Sequence, residues 1–172
     1  MDRQEYLTGI GELYAAEVLG EGLANRWIQL TTDPIQKYKL GLFLQLESEA
    51  KVRLRPLLAR HGVSLVEEER HRAAGAAAAE QFAAQSWKEA MATLAQLALP
   101  YAHRFQSLLE VAPPEDVPLV RFMVSRNLRA QRFAGSQWCR LRPPGSAAPT
   151  SPLLPWTALP PASNRPTLLS LR

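Results

Sequence analysis

Glu17 and Glu47 stand where helical spacing calls for apolar side chains. The first interrupts the stripe Tyr6, Ile10, Leu13, Glu17, Gly20, Ala24, Trp27; the second interrupts Leu40, Phe43, Glu47, Ala50, Leu54, Leu57. A carboxylate on the inner face of a helix must be protonated, paired with a cation or bound to a metal, because a lone buried charge costs roughly several kcal/mol. With a turn centred near Thr32, each glutamate lies 15 residues from it. In an antiparallel hairpin the two then meet at one level, where like charges raise each other's pKa. Three chemistries follow. The pair could ligate a metal, or Arg53, Arg55 or Arg126 could neutralise it as a structural ion cluster. Alternatively, Glu47 could pair with Lys51, four residues on.

The elements that must position these groups are helices. The first stripe predicts a helix over about Arg3 to Leu30. Thr32 or Asp33 can cap a second, with Pro34 in its first turn and Gly62 as its left-handed terminator near Arg60; Pro56 predicts a kink. Residues 63–80 form a weaker passage, with VEEERHR as a short surface helix and AAGAAAA as a loosely helical connector. Phe82, Trp87, Met91, Leu94, Ala98, Tyr101, Phe105 and Leu108 mark a third long helix, bent at Pro100. Pro113 and Pro114 end it, and Asp116 caps a fourth that carries Val120 and Met123. The expectation is an all-α protein, an antiparallel four-helix bundle over residues 1–134.

Charge divides the chain. Residues 1–116 hold all 16 acidic residues against 12 Lys and Arg, a net of −4, whereas the other 8 basic residues, all arginine, give 117–172 a net of +8. The predicted folded part is acidic, which argues against a nucleic-acid partner despite the overall +4. The N-terminus lacks a signal-peptide layout and no apolar run reaches membrane-spanning length, so a cytoplasmic protein without a membrane partner is expected. The lone Cys139 excludes an internal disulfide, and no GxSxG, phosphate-cradling glycine loop or HExxH is present. His61 and His71 read as solvent-exposed, as does His103, turned away from the seam; Glu67 to Glu69 read as a solvated face.

From Gly135 the composition changes, with 8 of the 14 prolines and no acidic residue in 135–172. Proline at that density predicts an irregular or disordered tail. Three readings of it remain open: a flexible basic tail, a proline-rich ligand built on PxxP spacings such as Pro149 to Pro152, or out-of-frame sequence. Arginine, proline, serine, alanine and leucine without Lys, Asp or Glu is what a GC-rich gene gives in a shifted frame. Codons TCA CGA AAC for Ser125, Arg126 and Asn127, read one nucleotide later, would encode His-Glu.

An inward glutamate on the first helix, the segment LQLESEAK on the second and a second helix pair after a long connector together resemble the ferritin-like superfamily of carboxylate-bridged bundles. The resemblance covers about residues 1–134 and is nearest to small uncharacterised bacterial members. It implies a metal pair held by one Glu on each of two helices and Glu-x-x-His on the other two. Glu17 would match the first-helix ligand and Glu47 the second-helix glutamate. Ala50 stands where the matching histidine would be, and helices 3 and 4 offer Tyr101, His103, Arg126 and Asn127 at that height. Two of about six ligands are therefore present. Two functional expectations follow: a structural or interaction role with no metal, or a di-iron or di-manganese carboxylate oxidoreductase or metal-binding protein using Glu17 and Glu47. Whether the chain is an enzyme is left open, and a homo-oligomer is a possible assembly.

Overall fold

A computed structural model describes residues 3–127, and among these the regular structure is entirely helical. Helix α1 spans Arg3–Leu30, α2 Pro34–Arg60, α3 Glu69–Ala83 and α4 Trp87–Leu109. Residues 117–127, the last described, are also helical and are termed α5. None of the described helices is long and apolar enough to cross a membrane. Cys139, the PxxP spacings and the tail from Gly135 lie outside the described residues.

The first hairpin forms for the reasons its sequence suggests. Asp33 caps α2, its carboxylate accepting the N–H groups of Ile35 at 2.8 Å and Gln36 at 3.0 Å, and Pro34 fills the first turn. Gly62, with φ +68°, follows the helix end in the left-handed conformation that glycine adopts without strain. Side-chain pairs run in opposite directions along the two helices: Tyr14 meets Arg55, while Glu21 meets Lys51 and Ser48. The hairpin is therefore antiparallel.

The middle of the chain departs from expectation. The expected connector contains a regular 15-residue helix, α3, so the described residues hold five helices rather than four. The long third helix expected across Phe82 to Leu108 is also divided. Ser86 caps α4 in a reciprocal capping box with Glu89, and Ala84 and Gln85 separate α4 from α3. Pro100 lies in the interior of α4 without ending it.

Helix α3 forms despite its weak pattern because its alanines and glycine let it approach α1 backbone to backbone. A Cβ at Gly75 would strike the Leu19 carbonyl, and one at Gly22 would strike the Arg72 carbonyl. Neither obstacle is a side chain that can swing away. Gly75→Ala is therefore expected to cost about 2 kcal/mol, the range of overpacking, despite alanine's better helix propensity. Urea unfolding measures this; an unchanged or higher midpoint would contradict the close crossing.

Two apolar clusters form the core. One gathers Tyr6, Ile10, Leu13, Leu54, Leu57, Phe105, Leu108 and Met123; the other gathers Leu23, Trp27, Leu40, Ala79, Phe82 and Ala90. In the second, Trp27 packs on Phe82 and Trp87, with ring centroids 5.0 and 5.6 Å away. Between the two clusters, Glu17 and Glu21 on α1 lie opposite Glu47, Ser48 and Lys51 on α2. The core is thus interrupted by a polar layer.

Candidate functional site

Glu17 is buried because α1 turns the Tyr6–Trp27 stripe inward, and its side chain is 5% exposed. Glu47 enters the same layer from α2, its carboxylate lying against Gly20, where any Cβ would collide with it. The glycine on the α1 stripe thus makes room for the second acid. The group that answers both is Arg126 of α5, whose side chain is 8% exposed. Its Nη2 donates to Glu47 Oε1 at 2.9 Å and its Nη1 to Glu17 Oε1 at 3.2 Å.

One guanidinium cannot fully balance two ionised carboxylates in a layer where Glu17 is buried and the Glu47 side chain only 14% exposed. Glu17 Oε2 lies 3.1 Å from Nη1 but lacks a hydrogen-bond partner, as does Arg126 Nε. Burial pushes the Glu17 carboxyl well above its ordinary value; the Glu47 charge raises it further, and Arg126 only partly opposes this. Burial also raises Glu47, against the opposing pull of Arg126. Both carboxyls are thus held above their ordinary value, which favours one proton within the pair. That proton supplies the donor missing when both acids are ionised.

Lys51 does not pair with Glu47. It turns to Glu21 Oε2 at 2.5 Å and Glu67 Oε1 at 2.9 Å. Ser48 Oγ donates to the other Glu21 oxygen at 2.5 Å. Burial works to lower the Lys51 pKa, but the hydrogen bonds to Glu21 and Glu67 outweigh it and hold the ammonium above its ordinary value. Glu67 also accepts from Arg55 and Arg72, each at 2.7 Å, and from the Tyr14 hydroxyl at 3.3 Å. Its carboxyl is held below the usual range, chiefly by the Lys51 hydrogen bond.

Several expectations are corrected by this geometry. Glu67 is a structural acceptor rather than part of a solvated face. Of the three candidate arginines, Arg55 serves Glu67 and Arg53 serves exposed Glu49 while covering the Phe122 ring, leaving Arg126 for the buried pair. His61 is not solvent-exposed: its side chain is 10% exposed and its Nε2 lies 2.6 Å from Asp116 Oδ2. Buried Asp116 also receives Tyr6 at 2.9 Å and Arg60 at 2.7 Å, tying the start of α5 to the open end of the hairpin, where α1 begins and α2 finishes. His103 is exposed, as expected. Glu21 was missed altogether, although it follows Glu17 by one helical turn, as Lys51 follows Glu47.

A metal centre does not fit this arrangement. The Arg126 guanidinium contacts both carboxylates, and Ala50 contributes no donor. Among the described residues, no group of three or more His, Cys, Asp or Glu side chains is gathered as metal ligands would be. Comparison of the chain with protein-family models, curated proteins and solved structures finds no match.

Proposed function

We propose that this chain is a ferritin-like helical-bundle protein with a structural or interaction role. In this reading α1, α2, α4 and α5 form the antiparallel set of four, and α3 is an added helix packed on α1. The observation that carries it is Arg126 between Glu17 and Glu47, with a guanidinium where a carboxylate-bridged protein holds metal. The competing reading is a di-iron or di-manganese carboxylate oxidoreductase or metal-binding protein. The observation that favours it is Glu17 Oε2, which accepts no hydrogen bond although it lies 3.1 Å from Arg126 Nη1.

Two measurements separate these readings. Purified full-length chain loaded with Fe(II) or Mn(II) and then desalted is expected to retain less than one metal per chain. Stoichiometric metal lost in both Glu17→Gln and Glu47→Gln would establish the competing reading. Glu17→Gln is also expected to leave stability at pH 7 unchanged or raise it, since the amide removes one of two like charges and can donate to Glu47. In the native chain the raised Glu17 pKa makes the folded state bind extra proton above the ordinary value of 4.5. That contribution is fully present below 4.5 and is lost as pH rises through the folded-state value. The variant should therefore gain on the native protein as pH rises, read as the difference in Tm across a pH series.

A further inference from the structure

Helix α2 carries a second apolar strip that no described element covers. Ile35 is 65% and Tyr38 68% exposed, with Leu42 at 37% and Leu46 at 36% one and two turns further on. Their spacing puts them on one face. Gly41 borders the strip in the helix interior, and nothing lies within 4 Å of where its Cβ would stand. Glycine there costs about 1 kcal/mol relative to alanine, yet no backbone among the described residues uses the clearance. Contiguous apolar patches on a helix face mark interaction surfaces.

We propose that this face of α2 joins two copies of the chain, helix against helix, antiparallel across a two-fold axis. The inference is independent of the Glu17–Glu47 reading, since it uses none of the polar layer. Its occupant is set by complementarity within the strip itself. Past Leu46 the same face continues as Glu49 and Arg53, which are paired along the helix at 2.6 Å and are 44% and 49% exposed. With Leu42 set against Leu46 of the partner subunit, Tyr38 falls beside Glu49 of the partner subunit. Ile35 then meets the aliphatic stem of Arg53 of the partner subunit. The phenol donates to the carboxylate, and the arginine stem covers the isoleucine while its guanidinium keeps its place over the Phe122 ring of its own chain. A parallel pairing would instead oppose Glu49 to Glu49 and Arg53 to Arg53, at a Coulombic cost. Each copy presents both halves of the match, as a two-fold contact requires.

Sedimentation velocity on the full chain tests this. The expected result is a dimer whose dissociation constant rises at least about thirtyfold in Leu42→Lys, the scale of an unpaired charge at an interface centre. Leu42 is partly exposed, so the variant's circular dichroism and monomer melting should match the native chain's. Register is tested by mixing Leu42→Cys and Leu46→Cys chains, both carrying Cys139→Ser. Mixed disulfide dimers should exceed those from either chain alone; a failure overturns the antiparallel pairing. A chain that is monomeric up to its solubility limit overturns the proposal, as does a dimer indifferent to Leu42→Lys. So does a monomer in which Tyr38→Cys links to its own Cys139, since the face would then belong to the chain's C-terminal segment.

Discussion

Arg126→Met is expected to lower stability by about 3–5 kcal/mol at neutral pH, the usual result of removing one partner from a buried ion cluster. Methionine fills much of the volume, so the loss is electrostatic rather than a cavity effect. Glu17 and Glu47 would remain side by side in a layer where their only close cation among the described residues has gone. One shared proton would still join them, but the other charge would have no counterion. The deficit should therefore shrink toward pH 5, as both acids take up protons more cheaply than one buried charge is tolerated. Arg126→Lys should recover only part of the loss, because a point ammonium cannot span both carboxylates as a guanidinium does. Urea unfolding at pH 5 and pH 7.5 reads this. A loss under 1 kcal/mol, roughly the value of a surface pair, would mean that the cluster is solvated. Combining Arg126→Met with Glu17→Gln should restore stability beyond the sum of the single effects, since the two residues touch.

Lys51→Met is expected to cost about 3 kcal/mol, again by leaving acids without their cation in a buried layer. Glu21 would suffer most. It would keep the Ser48 hydroxyl, but the nearest remaining cation, Arg72, stands 3.7 Å from it. Glu67 would keep Arg55 and Arg72 and lose its strongest pull downward. In the native chain the lowered Glu67 pKa contributes stability that is present above 4.5 and lost as pH falls through the folded-state value. The variant should show a shallower acid limb, opposite in sign to the change expected of Glu17→Gln. Hydrogen exchange should quicken over residues 63–68, the segment that Lys51 ties to the hairpin through Glu67. A variant as stable as the native chain, with an unchanged acid limb, would show that the Lys51 contacts are dispensable.

The parts of the fold that were legible in advance share one property: their signals are local. Asp33, Pro34 and Gly62 bound α2 through groups within a few residues of each other, and the α1 stripe states its own buried face. Distance from the turn placed Glu17 and Glu47 at one level because a hairpin converts sequence separation into height. Helix α3 was not legible. Its alanines and Gly75 carry little amphipathic signal, and their value lies in how closely α1 can approach, which depends on Gly22, some fifty residues away.

Pairing in the polar layer shows the same limit. Local spacing offers Lys51 to Glu47, yet Lys51 goes to Glu21 and Glu67, and Glu47 takes Arg126. The i to i+4 preference is worth only about 0.2–0.5 kcal/mol on a helix, well below what burial exacts from an uncompensated acid. Partners in a dry layer are therefore assigned by which charges the tertiary packing brings there. By itself the sequence determined that two acids would be buried at one height on a helical hairpin and would need an answer. That the answer is a guanidinium from α5, with Glu21 and Lys51 forming a second cluster beside it, was decided only by packing, because compensation of a buried charge is a property of neighbours in space.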